Sequence, residues 1–528
     1  MLFPDANEGS VRKGSGRLCN RTVLFAVALA ASISSFGTIA LAQDHVESSN
    51  MKLVGYNDLQ GRASYMPIIK KQGDRYYAYV GSQDGKPPET NPLTGKLEPG
   101  GTSIVDVTDA AHPKLIAHIP GEWDRTDKEP PPDELAKAGP DDLGGAQYMR
   151  VCLGSELPHA DPQKAYMLRA FGRIGWEMWD VTDPAKPTRL SVLRSDSLNT
   201  HRFWWECGTG IAYFIGGPFD WNIAGADRRF DAYDHALIYD IGDPLKPKFL
   251  RTFGIPGQEP GSSKPLPPVG LHTVMSTGPE GNRVYFAYGN AGNGVFEIVD
   301  REKLLSGPTE PTDTNLMYPV IAKVDLPADT GAHTVLPLNN VPVQEFAKQS
   351  TGNVMNFLLV TGQGHNDNKE CHEVRQMVHL FDISTESKPL GISTWTVPEK
   401  SGNFCDRGAV FGSHATNDNM FPVFYPRMVF VAFHNAGVRA LDVRDPYNPK
   451  EVGYYIPSVT SRTQPSCYGK GAAHECKTAI DINNVEVDDR GYVYGVDFAG
   501  GGLYIWEVTG AARELADYSK AVDRPAGK

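Results

Sequence analysis

Residues 102–119 read TSIVDVTDAAHPKLIAHI, and the phrase returns as WEMWDVTDPAKPTRLSVL at 176–193, ALIYDIGDPLKPKFLRTF at 236–253, VHLFDISTESKPLGISTW at 378–395 and VRALDVRDPYNPKEVGYY at 438–455. Each copy is an apolar strand that ends on an acid, opens a turn and passes a proline seven residues later (Pro113, Pro187, Pro247, Pro389, Pro449) before the next strand. Worn copies stand at VFEIVDREKLLSG (295–307) and LYIWEVTGAAREL (503–515), so the acids number seven: Asp106, Asp180, Asp240, Asp300, Asp382, Asp442 and Glu507. They are 74, 60, 60, 82, 60 and 65 residues apart, room for about four short strands with their turns in each copy. Seven such units in series predict an all-β fold, a seven-bladed β-propeller of four-stranded blades. The recurring acid is expected to accept backbone N–H bonds in its turn, a structural task.

The fourth unit shows the strand order: LHTVMSTG (271–278), NRVYFAYG (282–289), GVFEIVD (294–300) and YPVIAKVDLP (318–327), alternating in polarity and broken by Gly and Asn. The first strand of a blade lines the central channel and the fourth lies at the rim, so the acid and its turn separate strands three and four. This motif resembles the LVIVD repeat of a family of exported propeller proteins, across nearly all of residues 51–510. The resemblance implies a propeller and export, and little about chemistry. The seventh unit lacks a fourth strand of its own, because GAARELADYSK reads as helix or tail. MKLVGYNDL (51–59) matches the rim strands KLIAHIPG (114–121) and KEVGYYIPS (450–458). Residues Lys52 to Tyr56 are therefore expected to pair with the strand containing Leu503 to Trp506 and close the ring.

Ahead of the repeats, Arg12, Lys13, Arg17 and Arg21 precede an apolar run from Thr22 to Ala42 that ends on Ala40-Leu41-Ala42. A basic start, an apolar stretch and a small-residue site describe a secretory signal, residues 1–42, cut before Gln43. The propeller then spans 43–510 and a tail 511–528, and the destination is the periplasm or the exterior. No later stretch approaches the roughly 20 apolar residues of a spanning helix. The formal net charge is −12, to which residues 1–42 contribute +2, leaving −14 on the remainder. That balance argues against nucleic acid or anionic lipid as a partner. The 54 glycines and 40 prolines supply turns for many short strands.

Six cysteines follow the signal: Cys152, Cys207, Cys371, Cys405, Cys467 and Cys476. An even number in an exported chain suggests disulfides. Cys467 and Cys476 close a short Gly-rich loop, Cys152 and Cys207 fall at inner strands of adjacent units, and Cys371 with Cys405 is what remains. Six cysteines allow fifteen pairings, and the absence of a C-x-x-C spacing disfavours a thiolate metal site.

The chemistry turns on where histidines fall. His201 (NTHRFWW), His272 (VGLHTVM), His333 (TGAHTVL) and His414 (FGSHATN) begin the inner strands of four successive units, three of them as Gly-x-His. In the other units the same place holds Tyr65 or Met66, Tyr148 or Met149, and Asn483. Inner strands begin at one mouth of the channel, so four imidazoles from neighbouring blades would converge there. A single such His more often caps a strand; four in register make a metal site, with iron or copper expected and Mn or Zn as alternatives.

Most long connections open at that mouth: 84–101, 121–147, 217–234, 363–376, 399–412 and 459–477. His434 in AFHNAG is the best fifth ligand, Asp497 in GVDFAG a further one, and Glu206 and Glu486 are candidates to orient imidazoles from behind. Asp220, Trp221 and His365 lie in the same loops. His372 and His379, beside Cys371, are explained as well by a loop and a strand. Trp204, Trp205 and Trp221 are candidates to line an apolar approach. There is no G-x-S-x-G, P-loop, H-E-x-x-H, G-x-G-x-x-G opening a helix, or C-x-x-C-H.

In architecture and His placement the chain resembles carotenoid-cleaving oxygenases, which hold iron with four axial histidines, and selenium-binding-protein-type methanethiol oxidases. Pectin-type lyases with a propeller His cluster are a third precedent. The resemblance implies a metal-dependent oxidoreductase or oxygenase acting on a small organic substrate, with a metal-dependent lyase as one alternative. A non-catalytic propeller that grips a protein or glycan is the rival of another class.

Overall fold

The computed structural model describes residues 45–83, 88–121, 146–172, 175–194, 200–216, 234–342, 353–364, 371, 375–468 and 474–523. The expected signal segment 1–42, Asp220, Trp221, His365, His372 and most of the loops 121–147, 217–234 and 363–376 lie outside them. Among the described residues the chain forms seven four-stranded antiparallel sheets, the blades of the expected β-propeller.

Blade 1 is built from Ser64–Gln72, Arg75–Ser82, Gly101–Asp106 and Lys114–Pro120. Blades 2 to 5 repeat that order from inner strands Met149–Leu153, Phe203–Trp205, Leu271–Ser276 and Thr334–Pro342. Adjacent blades interlock through aromatic pairs: Trp176 on Phe214 with centroids 4.2 Å apart, Phe253 on Phe286 at 4.9 Å, Phe296 on Phe381 at 4.8 Å and Tyr455 on Trp506 at 5.5 Å. Such pairs add to the area they bury.

The repeated acid holds its turn as expected. Asp106, Asp180, Asp240, Asp382 and Asp442 each accept the backbone N–H two residues on, at 2.8–3.1 Å. In the worn fourth copy, Asp300 instead caps the helix Arg301–Ser306 by accepting from Lys303 N.

Ring closure follows the expected pairing. Met51–Asn57 is the outer strand of blade 7, with Lys52 opposite Glu507, Leu53 opposite Trp506 and Tyr56 opposite Tyr504. Gly55 lets this strand press on the blade 1 turn, because a Cβ there would lie 1.9 Å from the Ala110 carbonyl oxygen. A second pairing has no counterpart in the sequence reading: Glu47–Ser49 adds to the rim strand Lys450–Ile456 of blade 6. Blade 6 also departs at its inner edge. Its channel segment, 414–417, is tied on by the His414 N to Ala432 O bond and one bridge, Thr416 to Val431. Asn417 takes the Phe430 N–H with its side chain, in place of a regular ladder.

The three expected disulfides are present: Cys152–Cys207, Cys371–Cys405 and Cys467–Cys476. The tail forms the helix Gly510–Leu515, and Asp517 N donates to the Val423 carbonyl of blade 6. Among the described residues no helix is long and apolar enough to cross a membrane.

Glu297, buried on the face of blade 4 that packs against blade 3, is pushed up to about 7 by loss of hydration, with the Tyr288 hydroxyl as its hydrogen-bond donor. Its folded form holds a proton that the unfolded chain releases near pH 4.5, so its presence costs stability increasingly as pH rises from about 4.5 to 7. Glu297→Gln is expected to raise the melting temperature at pH 8, by a stabilisation of roughly 2–3 kcal/mol, and to leave it unchanged at pH 4. Thermal melts at the two pH values check this.

Candidate metal centre

The four predicted histidines stand side by side on blades 3 to 6. Ring centroids are 4.6 Å apart for His201 and His272, 3.8 Å for His272 and His333, and 4.3 Å for His333 and His414. Local backbone explains the placement. In blade 4 the ladder shifts between Leu271 and Thr273, leaving His272 as the extra residue of a bulge. The same shift isolates Tyr65 in blade 1 and Asn483 in blade 7. Bulges re-aim a side chain, so Tyr65, rather than Met66, is the blade 1 equivalent. In blade 2 the ring position belongs to Gln147, neither Tyr148 nor Met149: its Oε1 lies 2.7 Å from His201 Nδ1.

The glycine of Gly-x-His also has a cause. At Gly331 a Cβ would sit 1.7 Å from the Asn290 carbonyl oxygen, so only glycine allows blade 5 to enter this close to blade 4. Gly331→Ala is expected to displace His333 and lower stability by about 2 kcal/mol, read as a fall in melting temperature.

One hydrogen-bonding device recurs around the arc. Nδ1 of His272 donates to the His333 carbonyl (3.1 Å), Nδ1 of His333 to the His414 carbonyl (2.7 Å), and Nδ1 of His414 to the Asn483 carbonyl (2.5 Å). A carbonyl only accepts, so each of these imidazoles carries its proton on Nδ1 and offers a lone pair at Nε2. Nε2 of His333 and of His414 is buried with no hydrogen-bond partner. His201 Nε2 lies 2.9 Å from His272 Nε2 and 3.1 Å from the Tyr65 hydroxyl. With Gln147 accepting from His201 Nδ1, the two Nε2 atoms meet lone pair to lone pair, a contact relieved by a cation between them. Protons are a poor choice. Burial, then the charge of Arg202, pulls His201 down to about 3, and burial holds His333 and His414 well below the usual imidazole range.

His434 extends the arc. Its ring is 5.1 Å from His414, its Nδ1 is 2.6 Å from Asp481 Oδ1, and its Nε2 is buried without a partner. The residue has φ +41, a conformation held by a two-way backbone bridge to Ile482. Asp497 lies behind it: its Oδ1 accepts from Asp481 N, and burial raises it to about 7. Glu206 is elsewhere, bonded to Arg301, Ser276, Thr209 and Tyr213. Glu486 accepts the N–H groups of Asp418, Asn419 and Val487. Neither carboxylate is bonded to an imidazole. Trp205 is buried and Trp204 lies under Arg150, whose Cζ is 3.7 Å from its ring. His379 sits within the strand Val378–Asp382 of blade 5, away from the arc.

The donor set of unprotonated nitrogens suits Fe, Cu, Zn or Mn, and the orphaned Nε2 atoms fit such a guest. Among the described residues, the groups of three whose ligand atoms lie within 4.8 Å of one another are Cys467, His474, Cys476 and Cys152, Glu156, Cys207. Their sulfurs are spent in disulfides. The ligand atoms of the histidine arc do not meet that spacing, so three or four of these imidazoles would have to move together to share an ion.

Sequence reading missed Gln147, Asp481 and a buried layer in which Arg150, Arg202 and Asp418 join Tyr148. The one available signal was Arg202 directly following His201.

No family model and no curated protein matches the sequence. Solved structures that superpose on the chain include the Swd1 β-propeller domain of Myceliophteria thermophila, with 11% identity, a TM-score of 0.44, and 88% of this chain and 100% of that one covered. The WD40 repeats of RRP9 give 8% identity, a TM-score of 0.44, and coverage of 88% and 98%. Both are propellers; at this similarity the fold assignment rests on the strand pairing above.

Proposed function

We propose that the protein is an exported metalloenzyme of the LVIVD-repeat type, a metal-dependent oxidoreductase or oxygenase acting on a small organic substrate at the channel mouth. The observation that carries the reading is the 2.9 Å approach of His201 Nε2 to His272 Nε2, with Nδ1 of both imidazoles already used as donor. His201, His272, His333 and His414 would hold iron or copper, and His434, oriented by Asp481 as metal-bound histidines commonly are, is the fifth candidate. The bound ion would bind O₂ or polarise the substrate. The chain's own contribution is to fix the tautomers of His272, His333 and His414 through backbone carbonyls and that of His201 through Gln147, and to keep three imidazoles unprotonated by burial. Elemental analysis of protein purified without a tag tests this. One equivalent of iron or copper per chain is expected; folded protein that takes up no metal would leave a binding or scaffold propeller.

A further inference from the structure

Beneath the histidine arc the channel is crossed by a second, charged layer. Arg202 Nη2 donates to both oxygens of Asp418, at 3.0 and 3.1 Å, and Arg150 Nη2 donates to Asp418 Oδ2 at 3.0 Å. The Tyr148 hydroxyl donates to the same oxygen at 2.7 Å. The other carboxyl of the layer, Glu486, is raised by burial and by the charge of Asp418, and its oxygens are taken by the N–H groups of Asp418, Asn419 and Val487. Both guanidinium groups share the Asp418 carboxylate.

Arg202 is 2% exposed and its Nη1 is buried without a hydrogen-bond partner. A charged donor left buried and unmet is destabilising, and Asp418 already accepts from three donors. Arg202 adjoins His201 in the chain, and its charge acts on His201, His333, His414 and Tyr65. The Arg202 guanidinium therefore lies close to the arc.

We propose that Arg202 Nη1 is an anion subsite, which takes the carboxylate of a small organic acid whose other end reaches the histidine arc. A carboxylate accepts from the free N–H groups in a charge-assisted bond, which water does not supply. The subsite deepens the proposed function by naming the substrate class, yet binding of the acid alone needs no metal.

The test uses the full-length mature protein, stripped of metal, with formate, acetate, phosphate and chloride as probes at constant ionic strength. Formate and acetate are expected to raise the melting temperature saturably, equally in His272→Ala, and not in Arg202→Gln. Stabilisation that survives Arg202→Gln, absence of any effect, or an effect of phosphate alone would overturn the assignment. Should Arg202→Gln fail to fold, crystals of the wild-type protein soaked in bromide decide: an anomalous peak at Arg202 Nη1 that formate displaces is expected, and an empty or water-filled position would count against it. Metal uptake that fails while formate binding persists would sink the metal centre and leave this subsite standing.

Discussion

Deleting residues 43–57 is expected to lower the melting temperature by roughly 10 °C or more, or to prevent folding. The segment supplies the outer strand of blade 7 through six opposed pairs and adds a strand to blade 6. Its side chains are engaged too: Met51 is buried, and Tyr56 lies 5.1 Å from the Tyr504 ring. Several ladder bonds at about 1 kcal/mol each, with the apolar area, amount to on the order of 5 kcal/mol, and a domain of this size shifts by about 2–4 °C per kcal/mol. Loss of the strand also exposes the edge Gly502–Val508, so the truncated protein should aggregate on heating. Calorimetry with light scattering measures both. An unchanged melting temperature would show that the ring holds without its N-terminal strand.

The second large effect concerns the arc. His272→Ala and His333→Ala are each expected to reduce bound metal at least tenfold, because each removes an Nε2 that no other side chain replaces. Each also removes the Nδ1 donor that holds the next blade's carbonyl, so a moderate loss of stability accompanies the loss of metal. His474→Ala is the control. That residue is exposed beside the Cys467–Cys476 disulfide, and its removal should leave metal content and melting temperature as they were. Equal metal content in all three variants would place the ion outside the arc.

The fold was legible because the unit is long and repeats. An acid that accepts the N–H two residues on, with a proline seven residues later, marks the same corner of five blades, and MKLVGYN could be matched to rim strands elsewhere in the chain. Glu47–Ser49 escaped notice since three polar residues carry no period. The histidines were legible for a different reason: they sit at equivalent points of the repeat. Tyr65 was legible only as one of a pair with Met66, and Gln147 not at all, as their positions depend on a one-residue bulge in blade 1 and on how the chain enters blade 2, neither of which alternation reveals. Glu206 and Glu486 show the reverse error. Position along an inner strand put them near the axis, but Arg301 captures the first and three backbone N–H groups capture the second. Arg202 and Asp418 meet across the channel from 216 positions apart, a contact only closure of the ring creates.

The central claim is that one ion sits in the arc, and diffraction data collected on either side of the iron and copper absorption edges test it most directly. One anomalous peak is expected within ligating distance of Nε2 of His272 and of its neighbours. A well-ordered arc without a peak, in protein grown with both metals present, would contradict it.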